Sequence, residues 1–238
     1  MKMKTIFFSL LLAAFCLLAC SDNSSGPEVL LPVPKIFPNP PDMSEQERGI
    51  DAIEDMDAFI IEWQPDEQYE GFELYRRAEN EEKYQLVKTI GKQDSFFVDV
   101  VADSNVQLNM RYYYYIRGFD EKKHKSEPSD TVDYKLLPKA MSLSESMAEK
   151  LMFHWSVPDF SFESYVLKLY DITAEEYIWI MRVYTSYQGT DESVGFNTDG
   201  NAKISQLTRN QHYRWRIDVV GPSPNSGSES NWKYFIKQ

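Results

Sequence analysis

The chain has 238 residues, and its acidic side chains outnumber the basic ones by 37 to 25, for a formal net charge of −12. A surface of that sign repels phosphate backbones and excludes a nucleic-acid role resting on electrostatics. With 42% apolar and 14% aromatic residues the composition is that of a core-forming chain, long enough for two domains of about 110 residues each.

The N-terminus carries Lys2 and Lys4 ahead of an apolar run from Ile6 to Leu18 that only Ser9 interrupts. That run is too short to span a bilayer as an ordinary helix and has the layout of an export leader. It ends in Leu17-Leu18-Ala19-Cys20, which resembles the lipobox of bacterial lipoproteins. The resemblance implies a lipoprotein signal peptide over 1–19, cleavage before Cys20 and a diacylglycerol on the Cys20 thiol. An ordinary secretory signal or a short uncleaved anchor is the alternative. The chain has two cysteines. With Cys16 removed and Cys20 acylated, no thiol remains for a disulfide, a metal or catalysis. By the same resemblance the mature protein sits in the cell envelope, lipid-anchored to the membrane, with Ser21 pointing to the outer rather than the inner membrane. Acyl chains anchor at about 0.8 kcal/mol per buried methylene.

Residues 20–35 read as a lipidated flexible tether. Pro27, Pro32, Pro34, Pro38, Pro40 and Pro41 are half of the chain's 12 prolines and favour extended backbone around this segment. Beyond it, short runs with period-2 alternation predict strands at 58–63, 72–77, 84–90, 112–119, 151–155, 165–170, 177–184, 213–220 and 232–236. The chain therefore reads as all-β, with strands short and regularly spaced as in sandwiches.

The two halves repeat each other. Phe59, Ile61 and Trp63 alternate before Pro65, as Leu151, Phe153 and Trp155 do before Pro158. Tyr112, Tyr114, Ile116 and Gly118 correspond to Tyr213, Trp215, Ile217 and Val219. A strand ending in Trp-x-Pro or Trp-x-x-Pro, then Gly-Phe-Glu-Leu-Tyr-Arg-Arg, then Tyr-x-Tyr-x-Ile-x-Gly resembles a fibronectin type III domain. The resemblance implies two tandem immunoglobulin-like (fibronectin type III-like) β-sandwiches over 36–136 and 137–238. It implies core roles for Trp63 and Trp155 and tyrosine-corner hydroxyls on Tyr112 and Tyr213. The short hand-over at Leu136-Leu137-Pro138 implies domains set end to end with limited freedom.

Candidate chemistry is sparse. His124, His154 and His212 form no metal-ligand spacing. The stretch from Gly195 to Gly200 has part of a calcium-loop pattern, but Gly195 and Gln206 stand where acids are needed, so it reads as a turn. There is no nucleophile elbow or recognisable triad order. No catalytic residue, metal or cofactor is expected.

Binding surfaces carry the functional expectation. The strand 177–184 is apolar on both faces, so one face, assigned to Ile178, Ile180 and Arg182, needs a cover. The first domain, a neighbouring segment or a partner would serve, and Trp179 is a candidate aromatic contact. Tyr113 and Tyr115 turn outward if Tyr112, Tyr114 and Ile116 take the core. Lys122, Lys123 and Lys125 make a basic knot in an acidic protein at a predicted hairpin tip, where charge could steer an acidic partner. The expectation is a non-enzymatic module for protein contact or spacing in the envelope, with carbohydrate binding through exposed aromatics as the alternative.

Overall fold

The computed structural model describes residues 30–104, 106–147, 149–158, 160–184 and 191–238. The expected leader, the expected lipidation at Cys20 and the expected tether up to residue 29 fall outside the described residues. Among the described residues no helix is long and apolar enough to cross a membrane. Residues 31–238 form one compact unit containing two immunoglobulin-like, fibronectin type III-like sandwiches in tandem.

The first sandwich runs β1 (Ile50–Ala52), β2 (Ala58–Glu62), β3 (Gly71–Ala78), β4 (Gln85–Gly91), β5 (Phe96–Val100), a helical turn α1 (Val101–Ser104), β6 (Arg111–Phe119) and β7 (Val132–Leu136). The second runs β8 (Met141–Met147), β9 (Leu151–Ser156), β10 (Ser164–Asp171), β11 (Glu176–Val183), β12 (Asp191–Gly195), β13 (His212–Val220), β14 (Ser226–Glu229) and β15 (Lys233–Ile236). In each, three strands form one sheet, β1-β2-β5 and β12-β9-β8. The remaining strands of both sandwiches belong to a single nine-stranded sheet, β11-β10-β13-β14-β7-β6-β3-β4, with β15 also on β13.

The sequence's alternation explains each core. Phe59 and Ile61 of β2, with Trp63 just after it, turn inward to meet Phe72, Leu74, Tyr114 and Ile116. Phe153 and Trp155 of β9 meet Leu167, Leu169, Trp215 and Ile217 in the second core. Rings interlock edge-on, as Phe59 on Tyr114 at 5.7 Å and 74°. Burying each such side chain contributes roughly 1.5–3 kcal/mol. The tyrosine corners form in both copies: Tyr112 Oη accepts from the Gln107 amide and Tyr213 Oη from the Thr208 amide, each at 3.0 Å.

The halves also share an irregularity. The β3–β4 ladder slips between Leu74 and Tyr75, leaving Val87 as an extra residue that packs on the core. The β10–β11 ladder slips between Leu169 and Tyr170, leaving Ile178 as the extra residue. A bulge of this kind re-aims side chains by one position along the strand.

Main chain joins the sandwiches directly. β14 pairs in parallel with β7, with Ser226 opposite Lys135 and Gly227 opposite Leu136. The amides of Lys135 and Leu137 donate to the carbonyls of Asn225 and Gly227, each at 2.9 Å. Lys139 Nζ donates to the carbonyls of Ile53, Glu54 and Met56 at 2.8 Å each, fastening the inter-sandwich link to the turn after β1.

Candidate functional site

Two equivalent sheet faces have different fates. In the first sandwich, Tyr112, Tyr114 and Ile116 are buried, so the alternate positions of β6 face away from the core. Opposed residues on antiparallel strands share a face, which sets Arg77 beside Tyr113, Tyr75 beside Tyr115 and Glu73 beside Arg117. The rings of Tyr75 and Tyr115 stack at 4.9 Å and 14°, and Tyr84 meets Tyr115 edge-on at 4.8 Å. The Arg77 guanidinium lies over Tyr113 at 4.0 Å and over Tyr84 at 5.3 Å. These half-buried side chains form one ordered Tyr–Arg strip.

The basic hairpin continues that strip. Lys125 pairs with Glu73 at 2.8 Å, and Tyr75 Oη donates to the same carboxylate at 2.5 Å. Burial pushes the Glu73 carboxyl up, but the hydrogen bonds from Lys125 and Tyr75 outweigh it and hold the group below its ordinary range. The tip is closed by Asp120, which accepts from the His124 amide at 2.8 Å and pairs with the His124 ring at 2.9 Å. Lys123, at positive φ, places its ammonium 4.0 Å over the Phe119 ring, while Lys122 is exposed. Tyr113, Tyr115 and Lys125 are thus brought onto one surface.

The corresponding face of the second sandwich is covered. The β10–β11 bulge turns both Ile178 and Trp179 into the core, where each is only 2% exposed. The outward assignment of Ile178 is therefore corrected: period-2 reading shifts by one at an extra residue that only strand pairing reveals. Trp179 offers no surface ring, since its indole packs on Phe196 and Phe153 and donates to Asp199 at 2.8 Å. Ile180, opposite Lys168, is half-buried. Arg182 is held by Asp42 at 2.6 Å and by Ser164 at 2.9 Å, so a segment preceding β1 reaches this face. The turn at 196–200 spends its oxygens internally, with Asp199 accepting from Trp179 and Asn201.

Beneath that cover lies a buried ion cluster absent from the sequence expectations. Arg216, 1% exposed, pairs with Glu229 at 2.7 Å, with Asp218 at 2.8 Å, with Glu54 at 3.6 Å and with Glu47. Lys168 pairs with Glu47 at 2.6 Å and Asp218 at 3.1 Å. Trp232 lies against the Arg216 and Arg214 guanidinium groups at 5.0 and 4.3 Å. Oxygens of Glu47, Asp218 and Glu229 come within 4.8 Å of one another, a spacing suited to a metal ion. Arg216 pairs with all three, so these oxygens already face a cation supplied by the chain itself. Nothing in the sequence signalled this set, because Glu47 and Glu229 are far apart in the chain and each looks like an ordinary surface acid.

No protein-family model matches the chain, and no curated protein matches it. Among solved structures it is similar to a two-domain fibronectin type III segment from chicken tenascin, at 16% identity and a TM-score of 0.31, over 79% of this chain and 95% of that one. It is also similar to the FN1–FN3 domains of chicken CNTN1, at 14% identity and 0.32, over 80% of this chain and 62% of that one. The fold assignment rests on the strand order and the two tyrosine corners.

Proposed function

We propose that the protein is an envelope-anchored bacterial lipoprotein acting, without covalent chemistry, as a rigid spacer with a protein-contact face. The anchor is Cys20, by the lipobox resemblance, and the outer membrane is its proposed site. The sandwiches are taken to span 36–136 and 137–238, with 20–35 as the tether.

The observation that carries the reading is the continuous sheet across the joint. Main-chain pairing of β7 with β14, the Lys139 latch and the ion cluster oppose bending between the sandwiches. A stiff pair presents the Tyr75–Arg77–Tyr113–Tyr115 strip in one pose, and tyrosine and arginine are the residue types that dominate protein contact energies. A glycan platform has less support, because Tyr75 and Tyr115 turn ring faces on each other and Arg77 takes a face of Tyr113.

Membrane fractionation of wild type against Cys20→Ala tests the anchor, with loss of the variant from the membrane fraction expected and unchanged retention counting against it. Capture from native envelopes by wild type and by Arg77→Ala/Tyr113→Ala tests the face. A reproducible partner lost in the variant supports the reading. Saturable binding on a glycan array, lost in the same variant, would replace it with the carbohydrate one.

A further inference from the structure

We propose that the joint between the sandwiches is a proton-operated clasp: proton uptake by Asp51 and Glu229 tightens it, and proton release loosens it.

The argument starts from charge counting at the joint. The first sandwich and the segment before it contribute Glu47, Asp51 and Glu54; the second contributes Asp218 and Glu229. Against these five carboxyl groups stand Lys168 and Arg216, both from the second sandwich. Lys139 lies nearby but spends its ammonium on three backbone carbonyls. Outside these ion pairs stand Asp42, which lines the same cavity and is paired with Arg182, and Arg214, which lies over the Tyr170 and Trp232 rings. Tyr134 on β7 and Tyr177 on β11 also adjoin the cluster, and burial raises both phenols, so they stay neutral. Fully ionised, the cluster carries more negative charge than its two cations balance, in surroundings where water screens poorly.

The geometry identifies which groups take the proton. Asp51 lines a cavity of about 70 Å³ together with Glu47, Tyr134, Lys168, Asp218 and Glu229. Its Oδ1 accepts from the Ala52 amide at 2.9 Å and from Tyr134 Oη at 3.1 Å, which leaves Oδ2 for a proton. Glu229, 4% exposed, gives Oε1 to Arg216, whereas its buried Oε2 has no hydrogen-bond partner. Asp218 Oδ1 also lacks a hydrogen bond, although it sits 2.8 Å from Arg216 Nε in a poorly aligned ion pair. A proton on Glu229 therefore turns an unpaired buried oxygen into a donor with an acceptor group close by.

The direction follows from linkage. Burial, then the Glu47 charge, pushes Asp51 up to about 7, and burial with the Asp218 charge pushes Glu229 well above its ordinary value. A carboxyl whose value is higher in the closed joint binds protons more tightly there. Its contribution is fully present at low pH and is lost as pH rises through about 7.

Hydrogen exchange on the full chain in detergent tests this at the Lys135 and Leu137 amides, which cross the joint. The Glu70 and Phe196 amides, bonded within one sandwich each, serve as controls. After correction for intrinsic rates, joint protection should fall about tenfold from about pH 5.5 to 8.5 while the controls change less. In Asp51→Asn/Glu229→Gln the joint should stay protected at both values. Equal joint protection at both values in wild type, or the same fall in the double variant, would overturn the clasp. Should the double variant not fold, the wild-type profile decides alone.

Discussion

The Leu137 amide donates to the carbonyl of Gly227 at 2.9 Å, so the two sandwiches are bonded through their backbones. This contact closes the parallel pairing of β7 with β14 and makes one sheet of two domains. Parallel partners need a long connection between them, and here an entire sandwich supplies it.

Gly227 is needed there because a Cβ would stand 2.4 Å from the carbonyl oxygen of Val219, a backbone atom that cannot swing aside. Gly227→Ala should push β14 outward and cost roughly 1–3 kcal/mol, as overpacking does. Urea unfolding followed by tryptophan fluorescence measures the cost, and an unchanged midpoint would show that the strand has room.

The two tyrosine corners make equal predictions for the two halves. Tyr112→Phe strands the Gln107 amide and Tyr213→Phe strands the Thr208 amide. Each should lose about 1 kcal/mol, the typical net contribution of one hydrogen bond. A loss in one variant alone, in paired denaturation curves, would mean that the repeat is geometric without being energetic.

Asp99, 0% exposed, accepts from Tyr114 Oη at 2.6 Å and from Arg76 at 2.7 Å. Asp99→Ala leaves Arg76 beside a buried void and should destabilise the first sandwich by about 3–5 kcal/mol. Tyr114 should resist ionisation far into alkali in wild type, since burial and then the Asp99 charge raise its phenol. Ultraviolet titration reads this directly; ionisation of Tyr114 near its ordinary value would contradict the arrangement.

Asp199 supplies the opposite pH dependence. Burial alone would raise it, but the Trp179 indole and the Asn201 amide hold its carboxyl below the ordinary value. A lowered carboxyl stabilises above its unfolded value and loses that contribution as pH falls through its folded one. Acidification below about pH 4 should therefore shift Trp179 emission before global unfolding, and Asp199→Asn should remove that shift. Coincident emission and unfolding curves in wild type would argue against it.

Much of the fold was legible because burial imposes period 2 wherever a strand has one wet face. The β2, β3, β6, β9, β10 and β13 segments carry that signature in their aromatic and branched residues. The alternation does not mark strands β1, β5, β8, β12 and β14. β8 is largely exposed and β12 buries only Val194 and Gly195, whereas Ser226-Gly-Ser-Glu229 is wholly buried despite having no large apolar side chain. Its place is set by hydrogen bonds to distant residues, including Ser228 Oγ to the Pro138 carbonyl at 2.9 Å.

The sequence alone determined the class of fold, the twofold repeat, the inward tryptophans and the outward pair Tyr113 and Tyr115, because each follows from local alternation. Tertiary structure decided what lies opposite what. The bulge that sends Ile178 and Trp179 inward, the meeting of Lys125 with Glu73 and the gathering of Glu47, Asp51, Lys168, Arg216 and Glu229 depend on strand register and on docking between sandwiches. Charges far apart in a chain become partners only when folding removes the water between them. No local pattern records that desolvation in advance.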